Sequence, residues 1–529
     1  MEKNRLILAT ALSFLVLIGW SYFFAPKDQP KPAAPVQQAE SQVAPQGPIQ
    51  PSPLPSLALV ASKGQSVTVD TPLYSAKLNT HGGLLESFVL ANYRQGIQAD
   101  APKVELVAPQ SMLRAPLGIL WSGQPTWAAP DWSFEGSSLS LKGGESGTLR
   151  FACDLAGIRL VRELTFSAGS YLVTETVRVQ PLAGQALAGR LGFTLAATAL
   201  SGKDDSYNLT RVEWLTKGKL EEEGDAKDLE AGVFAGEEVG WGGLSSNYFL
   251  VAMAPADPGW AFKAKLEEGI YRLAVERDGI AAQAGGEATV SVAYFLGPKD
   301  PKILAAVGHG LEKSVNYGFF SVIAEPLLWL LEFFHGLVAN WGVAIILLTV
   351  LIKIVFWPLS QKSYVSMQQM KKLQPMMAKI REKHGDDREK MNAELMQLYK
   401  TYKVNPMGGC LPMLLQIPVF FGLYQALLLS TDLRHAPFIA HLPFTDIIWL
   451  ADLSAKDPFY ITPLVMGATM FLQQKMSPPP GDPMQAKIML FMPVIFTALF
   501  LNFPAGLVIY WLVNNVLSIF QQWLLMRKS

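Results

Sequence analysis

The sequence predicts a multi-domain membrane protein, in which an α-helical bundle of six transmembrane spans accompanies a separate all-β sandwich domain. Half of the 529 residues are hydrophobic and only 17% are charged, a composition typical of membrane proteins. Apolar runs of about 20 residues, long enough to cross a bilayer, occur at the start and in the last part of the chain. Between them, residues 58–300 alternate between polar and apolar side chains, which indicates strands.

The first element is predicted to be a signal-anchor helix over residues 1–25. Lys3 and Arg5 precede its apolar run, and the small-residue cleavage site of a removable signal peptide is absent. The positive flank places the N-terminus in the cytoplasm. Residues 26–57 are rich in Pro, Gln, Ala and Ser, so they are predicted to form a disordered linker.

The alternating segment is predicted to be a β-sandwich outside the cytoplasm. In the run 171–180 every second residue is apolar, and Glu175 interrupts that face. The preceding run 158–166 is expected to pair with it as a hairpin, and a further hairpin turn is predicted at Asp278 and Gly279. The domain contains no nucleophile elbow and no paired catalytic carboxylates, so the sequence gives no indication of an enzyme.

Residues 301–338 are predicted to form one amphipathic helix at the outer membrane interface, on the periplasmic side. Glu325, Pro326 and Glu332 interrupt its apolar stretch, and a crossing here would place the basic segment that follows outside the cell. Residues 339–529 are predicted to form the membrane core. Its spans are expected at about 341–359, 407–429, 459–476, 488–503 and 505–524. With the N-terminal helix they give six crossings, with both termini in the cytoplasm.

The polar stretch 361–405 is predicted to form a cytoplasmic hairpin of two helices. Met and Leu recur at helical spacing on both sides of His384 and Gly385, and an excess of Lys and Arg assigns the stretch to the cytoplasm. Two interpretations remain open: the hairpin only fixes the topology, or it docks an acidic partner such as ribosomal RNA or anionic lipid. The candidate docking residues are Lys371, Lys372, Lys379, Arg381 and Lys383.

One charged residue, Lys353, lies within the apolar run 341–359. A Lys at the middle of a span costs about 3 kcal/mol to insert and therefore indicates function. The apolar cores of the other spans contain no Asp or Glu to pair with it. Either the side chain reaches along the helix to the membrane surface, or it faces a hydrated polar groove. Polar residues on the other spans favour the groove, although each alone is also explained by a hydrogen bond between helices. The candidate groove residues are Lys353, Thr349, Gln416, Thr469, Tyr510, Trp511, Asn514 and Ser518.

Four segments of the last part of the chain resemble the YidC-type membrane protein insertases. They read LTVLIKIVFWPL around Lys353, SMQQMKKLQP at the start of the hairpin, NPMGGCLPMLLQIPVFFGLY from Asn405 and FPAGLVIYWLVNNVLSIFQQ from Phe503. The resemblance covers about 336–529 in the family's order, and the signal anchor and β-domain are similar to the Gram-negative form. It implies a five-helix core in the bacterial inner membrane, a periplasmic β-domain, and a groove open to the cytoplasm and to lipid. Most bacterial members have Arg in the groove, where this sequence has Lys353.

The same resemblance implies an insertase and chaperone for integral membrane proteins. The implied partners are nascent membrane proteins, the Sec translocon with its accessory subunits, membrane lipids, and the ribosome and targeting machinery at the hairpin. Two other functions remain open. A solute transporter or channel would normally show intramembrane acids or repeated broken helices, which this sequence lacks, and a structural assembly factor would act through the β-domain. No nucleotide-binding loop, HExxH or CxxC is present, so neither a cofactor nor a metal is expected.

Overall fold

The structure is a computed structural model, and it describes residues 64–98, 100–129, 131–182, 186–201, 207–236, 238–384, 387–402, 404, 411–476 and 483–528. The predicted signal anchor (1–25) and linker (26–57) lie outside the described residues, as does the NPMGGC part of the 405 motif. The described chain begins with a β-rich domain and continues as a set of helices.

The β-domain extends from Ser66 to Pro298, and its described residues also include one short α-helix, α1 (Ala226–Ala231), and two 3₁₀ helices, Pro109–Arg114 and Thr126–Ala128. Its strands are β1 Ser66–Asp70, β2 Tyr74–Asn79, β3 Leu85–Arg94, β4 Lys103–Val107, β5 Gly118–Trp121, β6 Gln124–Pro125, β7 Trp132–Glu135, β8 Leu139–Ser140, β9 Ser146–Leu155, β10 Ile158–Ser167, β11 Leu172–Pro181, β12 Leu187–Thr198, β13 Arg211–Thr216, β14 Lys219–Glu223, β15 Val233–Ala235, β16 Val239–Ser245, β17 Phe249–Pro255, β18 Ala261–Glu267, β19 Ile270–Ala282 and β20 Ala288–Pro298.

Within the described residues these strands form three sheets that share one apolar core. The nine-stranded sheet has the order β14-β13-β16-β17-β20-β11-β10-β9-β7, the six-stranded sheet β15-β18-β19-β12-β5-β6, and the five-stranded sheet β4-β3-β2-β1-β8. Aromatic contacts join them face to face: Trp214 of the large sheet stacks on Phe262 of the second, and Tyr74 of the third lies against Tyr171. The prediction of a β-rich domain is confirmed.

The predicted hairpin between the runs 158–166 and 171–180 is confirmed, because β10 and β11 pair antiparallel in register from Ile158 opposite Pro181 to Thr165 opposite Thr174. Glu175, which interrupts the apolar face, does point into the core. It is fully buried and lies 2.8 Å from the equally buried guanidinium of Arg162 on β10. The polar interruption of the pattern is therefore one half of a buried ion pair.

The predicted hairpin turn at Asp278 and Gly279 is wrong, because both residues lie inside β19. There they form a bulge, with two residues facing the single residue Arg190 of β12, and the Arg190 guanidinium binds Asp278 at 2.6 Å. Gly279 has a φ of 73°. An Asp-Gly pair supplies this left-handed backbone to a bulge as readily as to a turn, so the dipeptide does not distinguish them.

Beyond the β-domain the chain is mainly helical. The helices are α2 Pro301–Val307, α3 Ser321–Val338, α4 Trp341–Lys383, α5 Arg388–Thr401, α6 Leu411–Leu429, α7 Ile461–Met476, α8 Pro483–Phe500 and α9 Ala505–Lys528, and a two-stranded sheet of β21 Ile439–His441 and β22 Ile448–Leu450 lies between α6 and α7. A second apolar core joins the helices, with Leu331 of α3, Leu348 of α4, Leu423 of α6, Met466 of α7 and Leu507 of α9 all buried in it.

In the part of the chain that the structure describes, three helical segments are long and apolar enough to cross a membrane: Gly318–Val338, Trp341–Lys383 and Ala505–Arg527. Leu415–Leu429 and Lys487–Phe500 are shorter apolar helices. The interfacial position of 301–338 therefore stays a prediction. The segment is not one helix, since α2 packs on the β-domain core through Leu304 and α3 begins only at Ser321.

The predicted boundary between the first core span and the hairpin, near 359–361, is not a helix end. α4 continues without interruption through Pro358 and Pro375 to Lys383, over 43 residues. The change from apolar to polar side chains at this point marks a change of surroundings. Polar residues such as Gln and Lys are good helix formers, so the backbone has no reason to stop there.

The connection between α6 and α7 contacts the β-domain. The guanidinium of Arg434 lies 5.3 Å from the ring centre of Phe249 and donates a hydrogen bond of 2.7 Å to the carbonyl oxygen of Arg94. The rings of Tyr207 and Phe503 lie 5.6 Å apart, so the turn before α9 also touches this domain.

Candidate functional site

Four polar residues of α9 form one stripe along the helix. Tyr510, Asn514, Ser518 and Gln521 follow at intervals of three or four residues, which places them on the same face. Each of them contacts another helix. The amide of Gln416 on α6 donates to the Tyr510 hydroxyl at 2.8 Å, while Asn514 and Ser518 accept from α4. This stripe therefore holds α4, α6 and α9 together through polar contacts.

Lys353 of α4 points at this stripe. Its ammonium donates to the Ser518 hydroxyl oxygen at 2.6 Å and to the Asn514 amide oxygen at a longer 3.5 Å. The side chain is half-buried, and no carboxylate of the described residues lies within ion-pair distance of it. Among the described residues, the hydrogen-bond acceptors of this ammonium are the neutral oxygens of Ser518 and Asn514. Such an ammonium remains able to attract an anion that enters the site.

A cleft opens beside Lys353, between α4, α6 and α9. It holds about 280 Å³ of empty space, part of which is open to the surroundings of the protein. The residues that line it are Ile352, Lys353, Phe356, Leu359, Ser360, Leu415, Gln416 and Asn514. The lining therefore includes a cation, two amides and one serine, and its other four residues are apolar, so the cleft suits a segment that has both polar and apolar side chains.

Protein-family models match the chain in two consecutive parts. The model described as the YidC periplasmic domain matches residues 66–330, and the model described as the 60Kd inner membrane protein matches residues 333–529. The chain belongs to the YidC family. Two of its relatives, each named membrane protein insertase YidC, match over the full length of both chains. The one from Nitratidesulfovibrio vulgaris strain Miyazaki F is 57% identical over 546 residues, and the one from Oleidesulfovibrio alaskensis is 54% identical over 538.

Among solved structures, a crystal structure of an active YidC insertase with its first transmembrane domain resolved aligns with 97% of this YidC-family chain and 98% of its own. Its sequence identity is 17% and the TM-score is 0.37.

Five of the eight residues predicted for the groove of this YidC-family chain lie outside the lining of the cleft. The hydroxyl of Thr349 is buried and donates to the backbone oxygen of Ile345 at 2.7 Å. Thr469 bonds to its own helix α7 and accepts from Asn515, on another side of α9. Trp511 packs into an aromatic cluster with Phe420, Phe496 and Phe500. Lys353, Gln416 and Asn514 line the cleft, and Ser518 and Tyr510 contact them directly.

Four lining residues of α4 were not predicted from the sequence: Ile352, Phe356, Leu359 and Ser360. Phe356 and Ser360 follow Lys353 by three and seven residues, which is the spacing of a single helix face, so the signal for these two was present. Leu415 of α6 could not be predicted as a lining residue, because the sequence does not distinguish an apolar residue that faces a cleft from one that faces lipid.

The hairpin of this YidC-family chain consists of the last part of α4 and all of α5. Its apolar residues pack against each other, so the Met-rich stripe forms the core of the hairpin, which includes Leu373, Met377, Leu395 and Val404. Asp387 caps α5 by accepting from the Lys390 amide, and this hydrogen bond lowers the pKa of the Asp387 carboxyl below its ordinary value. Of the five candidate docking residues, Arg381 is half-buried and the others, Lys371, Lys372, Lys379 and Lys383, are exposed.

Proposed function

We propose that this chain is a membrane protein insertase and chaperone of the bacterial inner membrane, which inserts and helps to fold integral membrane proteins, alone or with the Sec translocon. The observation that carries the proposal is the ammonium of Lys353, which forms no ion pair with any carboxylate of the described residues and lies in a cleft between three helices, in a chain whose full-length relatives are named insertases. No bond is made or broken in this function, so the protein is not an enzyme.

The proposed topology has six crossings, of which five form the core, with both termini in the cytoplasm. It divides the chain into a signal anchor (1–25), a linker (26–57), a periplasmic β-domain (58–300), an interfacial segment (301–338) and a membrane core (339–529). The contact of Glu332 on α3 with Lys302, at 2.7 Å, supports an interfacial α3, because it joins α3 through an ion pair to α2, which packs on the β-domain core. An ion pair of this kind is compatible with headgroups and water, and costly within hydrocarbon.

In the proposed mechanism the cleft shortens the hydrocarbon path that a hydrophilic segment of the substrate must cross. The cleft admits side chains rather than a helix, because an α-helix with its side chains is about 10–12 Å wide and the empty space beside Lys353 is partly open to the surroundings. The apolar helix of the substrate therefore stays outside the cleft. It leaves along α6 and α8, whose exposed apolar residues include Leu415 and Phe421 on α6 and Phe491 and Val494 on α8.

Lys353 supplies the attraction for acidic groups of the segment that moves outward. A carboxylate at about 4 Å from an ammonium gains roughly 4 kcal/mol at an effective dielectric constant of about 20. The membrane potential adds about 2.3 kcal/mol for each negative charge per 100 mV. Both terms act in the same direction on an acidic segment, and neither acts on a neutral one.

The proposed partners are nascent membrane proteins at the cleft, the Sec translocon, membrane lipids, and the ribosome with the targeting machinery at the hairpin. The exposed cations Lys371, Lys372, Lys379 and Lys383, together with Arg381, support an acidic partner at the hairpin.

The test is charge substitution at Lys353. We expect Lys353→Arg to retain insertion and Lys353→Glu to reduce insertion of a substrate with an acidic external segment by about tenfold or more, because attraction becomes repulsion of similar size. The measurement is protease protection of that segment in membrane vesicles. The control is the same substrate with its Asp and Glu changed to Asn and Gln, which should insert equally with both variants. Equal insertion of the acidic substrate by Lys353→Glu would contradict the electrostatic role.

A further inference from the structure

We propose that Ser518 is a positioning residue, which holds the ammonium of Lys353 inside the cleft so that a Lys can serve at this position. This inference rests on the proposed function, because it concerns how the cation of the insertase cleft is placed. It assigns a role to a neutral side chain on the helix opposite the cation.

The hydrogen bonds of Ser518 fix which way its hydroxyl points. The hydroxyl donates its single proton to the backbone oxygen of Asn514, one turn earlier in α9, at 2.7 Å. Its lone pairs therefore remain for acceptance, and the Lys353 ammonium donates to them at 2.6 Å. Ser518 is also 3% exposed, so little water competes for this acceptor. The geometry makes Ser518 a ready-oriented acceptor for a cation.

The other partners of the ammonium are weaker. The Asn514 amide oxygen lies at 3.5 Å, near the limit of a hydrogen bond, and no carboxylate of the described residues forms an ion pair with Lys353. Without Ser518 the flexible Lys stem can extend along α4 toward Leu359, which lies about 9 Å further along the helix. The charge would then leave the centre of the cleft for the membrane surface.

An Arg at the same position would depend less on Ser518. Its guanidinium carries five donors in a rigid planar fork and a more delocalised charge, so it can bind several of the surrounding oxygens at once. The Lys ammonium is a compact charge, and a single short contact places it. The requirement for Ser518 is thus expected to be specific to a Lys at position 353.

Ser518 has one further contact, with the hydroxyl of Tyr364 on α4, which also interacts with Gln522. Replacing Tyr364 by Phe removes this contact and leaves the contact between Ser518 and Lys353 in place. Tyr364→Phe therefore serves as the matched control for a purely structural effect on the packing of α4 against α9.

The experiment measures insertion of the acidic and neutralised substrates by the full-length protein in vesicles. We expect Ser518→Ala to reduce insertion of the acidic substrate by about three- to tenfold and to leave the neutralised substrate unchanged. In the Lys353→Arg background, Ser518→Ala should have no effect. Ser518→Thr, which keeps the hydroxyl, should restore insertion, and Tyr364→Phe should insert like the unchanged protein.

Two results would overturn the inference. One is full insertion of the acidic substrate by Ser518→Ala. The other is an equal loss with Lys and with Arg at position 353, which would mark a packing defect. If Lys353→Glu impairs the acidic substrate while Ser518→Ala does not, only the role of Ser518 fails. If Lys353→Glu has no effect, the electrostatic part of the proposed function fails with it.

Discussion

Replacing Glu175 by Ala is expected to destabilise the β-domain severely. Arg162 and Glu175 are 1% and 0% exposed, and their guanidinium and carboxylate lie 2.8 Å apart. The Tyr294 hydroxyl donates to the second carboxylate oxygen at 2.8 Å, and Arg162 donates to the Gly82 carbonyl at 2.6 Å. Burial raises the pKa of Glu175, and the neighbouring Arg162 guanidinium opposes that rise. Each charge is therefore balanced by the other, and each group also makes one hydrogen bond to a neighbouring polar group.

The magnitude follows from what the substitution leaves behind. Glu175→Ala strands the guanidinium of Arg162 in an apolar core, which costs about 3–5 kcal/mol, and the Tyr294 hydroxyl loses its acceptor. A domain of ordinary stability has about 5–15 kcal/mol in total, so a large share is lost. Replacing both partners, as in Arg162→Met with Glu175→Leu, removes the stranded charge, and such exchanges are often neutral or stabilising.

The assay is pulse proteolysis of the purified full-length protein across a urea series, following the fragment that contains the β-domain. A matched control lies on the same two strands, where Glu163 binds Arg178 at 3.1 Å with both side chains partly exposed. Glu163→Ala should cost about 1 kcal/mol or less. The reasoning is refuted if Glu175→Ala costs no more than Glu163→Ala, or if the double replacement is as unstable as the single one.

Two further predictions concern contacts at the ends of the helices. A Cβ on Gly342 would come within 2.1 Å of the Phe438 ring, so Gly342→Ala should lower the free energy of unfolding by about 1–3 kcal/mol, measured by thermal unfolding in detergent. Adding Phe438→Ala should recover part of this loss. Equal melting temperatures of Gly342→Ala and the unchanged protein would contradict the close packing. Arg434→Ala removes the contact with Phe249 and the hydrogen bond to the Arg94 carbonyl, so the interaction between the α6–α7 connection and the β-domain should weaken by about 1–2 kcal/mol. Spin-label distances between the β-domain and the α6–α7 connection should then broaden, with Arg434→Lys giving an intermediate result, and an unchanged distribution would count against this contact.

The strands of the β-domain could be predicted where side chains alternate, because alternation reports directly which face is buried. The hairpin of β10 and β11 could be predicted from this pattern. The ion pair between Glu175 and Arg162 could not, since a buried Glu in the sequence does not indicate which residue pairs with it. The turn predicted at Asp278 and Gly279 is wrong, because a β-bulge uses the same left-handed backbone conformation as a hairpin turn and the sequence does not distinguish the two. The continuation of α4 past Leu359 was missed because hydropathy records the surroundings of a helix and not the end of its hydrogen bonding.

The candidate site divides along similar lines. Lys353, Gln416 and Asn514 could be predicted, because an ammonium or amide group in an apolar span needs a partner on another helix. A hydroxyl side chain differs, since it can bond to the carbonyl one turn before it in the same helix. Thr349 and Ser518 both do so, and polarity alone therefore does not decide which of them reaches the cleft.

Because α4 is a single unbroken helix, it connects the hairpin mechanically to the cleft. At 1.5 Å per residue its 43 residues span about 65 Å, and the same helix carries Lys353 about 18 Å from its first residue and part of the basic hairpin at its other end. A load applied at the hairpin is transmitted to the wall of the cleft unless the helix bends. Pro358 and Pro375 each remove a backbone hydrogen bond, so they are the points at which it would yield. Of these two prolines, Pro358 is the closer to Lys353, at a distance of five residues, so a bend there would act most directly on the position of the ammonium.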